Sequence, residues 1–163
     1  MQPATVTDPV LRARVEAFLV HEAGLLDDLR YADWIELFAP EGIYWVPANR
    51  DDSDPKTHVS LIYDDVRRLK ERLVRAGSGM FWAQDPPTRA TRVLGNLVVS
   101  REAEGLLASS KFILVALRRG HSETFSGTYR HRLVERDEGF AILHKTVLLI
   151  QNNEPQINLT FLP

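Results

Sequence analysis

The chain has no cysteine in its 163 residues, which removes disulfides, thiolate nucleophiles, cysteine-based zinc sites and any iron–sulfur cluster held by its own thiols. No apolar run approaches the roughly 18 residues that a membrane-spanning helix needs. The opening MQPATVTDPV carries neither a basic region nor the apolar core of a secretory signal, so the cytoplasm is the expected compartment. Neither sign of charge is in excess: 20 Lys and Arg stand against 22 Asp and Glu, and a net charge of −2 gives no pull toward nucleic acid or an anionic membrane. The phosphate-cradling GxGxxG and GxxxxGK[ST] loops are missing, and no serine occupies a GxSxG turn. The five histidines, at 21, 58, 121, 131 and 144, include no close pair of the kind a facial iron site uses. His21 and Glu22 are adjacent, but a helix turns them about 100° apart, so they cannot chelate one ion together. No metal or other cofactor is expected on this chain.

What is present is a change of character along the chain. A single domain over 1–163 is expected, with 1–7 a loose lead-in, and the length suffices for a sizeable core without staples. Asp8 before Pro9 supplies an N-cap and a first-turn proline for a helix running to about Leu29. Its apolar arc is formed by Leu11, Val15, Phe18, Leu19, Leu25, Leu26 and Leu29, and Glu22 sits near the middle of that arc. A second helix is predicted over 32–39 and stopped by Pro40, then a strand over 43–46, a polar loop over 48–55 and a strand over 59–63. Asp64 is placed to cap a third helix reaching Ala76. From Thr88 onward β-branched and aromatic residues dominate, with breaks near Gly105, Gly120 and Gly139. Four strands, 89–101, 108–118, 124–136 and 140–151, joined by short turns predict an antiparallel meander. Helices first and strands later define an α+β domain, a curved, mostly antiparallel sheet covered on one face by helices.

A lone carboxylate among leucines needs a partner, because burying a bare charge costs several kcal/mol or more. Strand alternation puts Phe125, Tyr129, His131 and Leu133 on one face, and Phe140, Ile142, His144, Thr146 and Leu148 on one face of the next strand. A sheet closed by helices forms a cone whose interior can gather Glu22, His131 and His144, with Tyr31, Asp33 and Tyr44 as a second polar set. Two uses follow. Either these groups satisfy structure, in which case Glu22→Gln leaves the fold and activity largely intact, or they run acid–base chemistry as a stand-alone dehydratase or isomerase.

The order of motifs is more telling than any one residue. EAGLLDDLRYADWIELFAPEGIYWVP, MFWAQDPPTRATRVLGNLVV, SKFILVALRRG, FSGTYRHRLVERDEGFAILHKTVLLIQNN and INLTFLP, in this order from about Phe18 to Leu162, resemble the small (β) subunit of aromatic-ring-hydroxylating dioxygenases. The resemblance implies a cystatin-like, ketosteroid-isomerase-like cone. It implies a non-catalytic subunit that supports a large (α) subunit in a hexamer of three large and three small chains, with the small chains forming a trimer. It also implies that the Rieske [2Fe-2S] cluster and the mononuclear Fe(II) belong to the large subunit, that electrons arrive from NADH through a reductase, and that dioxygen is added to an aromatic ring as a cis-dihydrodiol. In that role Phe81, Trp82, Arg92, Arg118 and Arg119 are the expected interface anchors, since aromatics and arginines are enriched at interface centres.

Overall fold

The computed structural model describes residues 4–48, 54–77, 86–152, 154, 159 and 161–163. In chain order the elements are α1 (Pro9–Asp27), α2 (Tyr31–Ile35), β1 (Phe38–Pro47), β2 (Ser60–Asp65), α3 (Val66–Gly77), β3 (Arg89–Glu102), β4 (Gly105–Arg118), β5 (His121–Arg136) and β6 (Gly139–Leu149). The strands form one sheet in the order β2-β1-β6-β5-β4-β3. Among the described residues only the β1–β6 pair is parallel; β3 to β6 are the predicted meander. Helix α1 packs across the inner face, with Leu11, Val15, Leu19 and Leu26 buried against the strands.

Asp8 caps α1 as expected, its Oδ1 accepting from the Val10 amide at 2.9 Å. The helix closes two residues earlier than the apolar pattern suggests. The Leu29 amide bonds to the Leu26 carbonyl and the Arg30 amide to that of Leu25, a Schellman closure that throws Leu29 to φ 58°. Leu29 therefore leaves the buried arc. The second helix is also shorter than predicted, ending at Ile35, and Pro40 lies not after a helix but inside β1. There its missing N–H costs nothing, since β1 runs irregularly past β6 between Phe38 and Ile43. The cap of α3 is Asp65 rather than Asp64: Asp65 Oδ1 accepts from the Arg68 amide at 2.8 Å, while Asp64 is spent on Arg72 at 2.6 Å.

Two irregularities shape the cone. At Gly127 a Cβ would sit 1.9 Å from the Leu148 carbonyl oxygen, so β5 and β6 approach there as only glycine allows. Farther along the same pair, Arg132 faces His144 but Leu133 faces Ile142, which leaves Leu143 as an extra residue on β6. One extra residue reverses the alternation beyond it. Lys145, Val147 and Leu149 therefore point into the cone, and His144 is turned to the other face.

Candidate functional site

Glu22 is 1% exposed and sits where α1 crosses the strands. Its Oε1 accepts from Trp34 Nε1 at 2.9 Å and from Lys145 Nζ at 2.5 Å, and its Oε2 meets His131 Nε2 at 3.2 Å. Four elements converge on one carboxylate: α1, α2, β5 and β6. The register explains the meeting, because His131 is the direct cross-strand partner of Lys145, and Lys145 pairs with Tyr44 on β1. The Lys145 ammonium lies 4.5 Å from the centre of the Tyr129 ring and 5.9 Å from those of Trp34 and Tyr44, so aromatic faces wall it in.

The electrostatics make this a closed ion pair. Burial alone would raise the Glu22 carboxyl, but Lys145 and His131 outweigh it and hold the group below the ordinary carboxylate range. Burial draws His131 down against the pull of Glu22, so the imidazole is neutral at pH 7 and Nε2 donates. Lys145 is likewise drawn down by burial against the pull of Glu22. A carboxylate with so little affinity for a proton, all of its partners fixed, is a poor general base at neutral pH.

A second polar group lies near the mouth of the cone. Asp27, in the last turn of α1, accepts from the Arg92 amide at 2.9 Å and pairs with the Arg92 guanidinium, whose Nη2 donates to the Leu162 carbonyl at 2.5 Å. The Tyr44 hydroxyl donates to the Pro163 carbonyl at 2.7 Å, and Phe161 stands edge-on to Phe125 at 5.3 Å. Residues 161–163 are buried and form a strap across this end. Burial raises the Tyr44 and Tyr129 phenols well above their usual range, and the nearby Arg92 opposes this in both.

Of the six expected cone residues, the structure gathers Glu22, His131 and Tyr44 inside and leaves Tyr31 half-buried beside Asp27 and Arg92. Asp33 is outside: it is exposed in the first turn of α2 and pairs with Arg30 at 2.8 Å. His144 is outside as well, on the far side of the sheet, 3.1 Å from the Thr146 hydroxyl and edge-on to Trp45. The acid–base set of the stand-alone enzyme reading is therefore not assembled. Arg92 also needs correction, because its side chain is 2% exposed and committed within the chain, not offered to a neighbour. Arg118 and Arg119 do lie at the surface, at the β4–β5 turn. Phe81 and Trp82 fall outside the described residues. Lys145 and Trp34 were the missed partners of Glu22; the signal for the first was a lone lysine inside FAILHKTVLLI.

A six-stranded sheet curled around a helix that carries one neutralised carboxylate defines a cone. Solved structures with this architecture include the beta subunit of benzoate 1,2-dioxygenase from Burkholderia mallei, with TM-score 0.75 and 23% identity, covering 92% of this chain and 96% of that one. A naphthalene 1,2-dioxygenase chain gives TM-score 0.81 at 20% identity over 96% of this chain and 87% of that one. At such identities the likeness is one of fold. Sequence carries the rest. Residues 21–154 match the family described as ring hydroxylating beta subunit. The small oxygenase component of the p-cumate 2,3-dioxygenase system of Pseudomonas putida is 32% identical, over 86% of this chain and 79% of that protein. Benzoate 1,2-dioxygenase subunit beta of Acinetobacter baylyi is 31% identical, over 91% of this chain and 92% of that protein. The chain belongs to this family: it is a small (beta) subunit of the ring-hydroxylating dioxygenases, the structural rather than the catalytic component of an oxidoreductase complex.

Proposed function

We propose that this chain supports a large oxygenase subunit in a cytoplasmic complex of three large and three small chains, the small chains in a trimer, which adds dioxygen to an aromatic ring. The observation that carries the supporting role is the buried Glu22–Lys145–His131 cluster, which commits the carboxylate to fixed partners where an acid–base enzyme would need a free base. The Rieske cluster, the mononuclear iron and the electrons from NADH are assigned to the partner chains. The donor set here does not fit either iron group: the chain has no cysteine, and among the described residues no three His, Asp or Glu side chains are grouped to hold an ion.

Arg118 and Arg119, at the tip of the β4–β5 hairpin, are the remaining anchor residues proposed to face a partner. Beside the tip, a cavity of about 380 Å³ is bordered by both arginines, His121, Glu123 and Phe161. On the outer face of β3 and β4, Val93 and Ile113 pair directly while exposed at 67% and 55%, an apolar patch. Co-expression with the cognate large subunit tests the whole reading. A particle of three plus three chains, with oxygenation lost when this chain is omitted, is the expected outcome; a chain that stays apart from the large subunit defeats it. Arg119 holds φ 52°, where glycine is less strained, so Arg119→Gly keeps or raises the Tm of the isolated chain while weakening assembly about tenfold.

A further inference from the structure

On the inner face of β4 and β5, Ser110 Oγ and His131 Nδ1 are both buried and complete no hydrogen bond. Ser110 is 3% exposed and His131 is 0% exposed, so bulk solvent reaches neither. In the register Ser110 faces Tyr129 and Ala108 faces His131, which makes Ser110 and His131 diagonal neighbours on one face of an antiparallel pair. Such neighbours stand roughly 7–8 Å apart at their backbones and somewhat less at Cβ. Neither atom turns to the other, and the spacing suits two hydrogen bonds of about 2.8 Å meeting at one oxygen. Ala108, opposite the imidazole, brings only a methyl group, where a longer side chain would occupy the space beside the ring.

The chemistry of the two atoms names the ligand. His131 Nε2 is committed to the Glu22 carboxylate at 3.2 Å, so it carries the proton and Nδ1 presents a bare lone pair that calls for a donor. The serine hydroxyl is both donor and acceptor. A cation finds no support here, because the only carboxylate of the cluster already holds Lys145. We propose that one ordered water molecule is bound between Ser110 and His131, donating to Nδ1 and accepting from the serine hydroxyl. Ser110 then acts as a positioning residue: through this water it fixes the imidazole tautomer that bonds Glu22, and it extends the buried network from Lys145 across the cone to β4.

A crystal structure of the chain or its complex at about 1.5 Å or better, together with long-range proton–nitrogen NMR of His131, tests this. The expected result is a single peak about 2.6–3.2 Å from both atoms, and an Nε2–H imidazole whose Nδ1 accepts a hydrogen bond. Ser110→Ala is expected to weaken the peak, shift the Nδ1 resonance and lower Tm by about 2–4 °C, while Ser110→Thr, which keeps the hydroxyl, preserves the resonance. A direct Ser110–His131 bond, a dry site, a proton on Nδ1 or a peak at metal–ligand distances each overturns the proposal. Should a variant fail to fold, the wild-type density and spectrum decide alone.

Discussion

Helix α1 is tied to the sheet at two polar points, Glu22 and Asp27, and the two are built from different materials. Around Glu22 every partner is a side chain, and all of them are buried. Around Asp27 the guanidinium of Arg92 is met by a carboxylate that keeps 20% of its surface in solvent, and the backbone takes part through the Arg92 amide and the Leu162 carbonyl. Backbone groups cannot be deleted by substitution, and a partly wet carboxylate can rehydrate. The difference teaches where the fold is brittle: at Glu22 the loss of any one charge strands another in a low dielectric, whereas at Asp27 the loss is cushioned.

Breaking the Glu22 pair is expected to have the largest effect. Glu22→Gln leaves the Lys145 ammonium without a counter-charge, and Lys145→Met leaves the buried carboxylate with only neutral donors, so each costs about 3–5 kcal/mol in urea denaturation. This reverses the sequence-based expectation that Glu22→Gln is mild. Replacing both, with Leu at 22 and Met at 145, is expected to recover most of the loss, since an apolar pair strands no charge. A double variant no more stable than the worse single would show that the cluster is not a charge pair.

Arg92→Met comes next, at about 1.5–3 kcal/mol, for the loss of charge-assisted hydrogen bonds to Asp27 and the Leu162 carbonyl. A loss equal to that of Lys145→Met would erase the contrast between the two anchors. Acid sharpens the contrast further. The folded pKa of His131 lies below its ordinary 6.5, so the unfolded chain binds the extra proton first and stability declines as pH drops below about 6.5. The depressed Glu22 carboxyl contributes stability that is fully present above about 4.5 and is lost as pH falls toward its folded value. Chemical denaturation between pH 7 and 3 is expected to show both losses, and His131→Gln to remove the upper one.

Leu29→Gly is the smallest change and runs the other way. It relieves a left-handed residue at the end of α1, and thermal melting is expected to show a gain of up to about 1 kcal/mol. A net loss would mean that the half-exposed leucine side chain contributes more than its backbone costs.

The strands of the meander and the start of α1 were legible because period and capping are local: Asp8-Pro9 and the glycine-marked turns act within a few residues of themselves. Glu22 was legible as an anomaly, since an ionisable group in an apolar arc must be paired whatever the fold. Its main partner was not. Strict alternation along β6 points His144 inward, and the bulge at Leu143 gives that place to Lys145. Helix propensity also carried α2 too far, because Phe38 is drawn into the parallel pairing of β1 with β6, a contact between segments a hundred residues apart. The sequence by itself determined the fold class, the helical face toward the sheet and the lack of thiol ligands, because these rest on pattern and composition, and its ordered motifs carried the resemblance to the family. Only the tertiary structure decided which charges meet, since one extra residue in a strand reverses every side chain beyond it and no local signal marks where that residue falls.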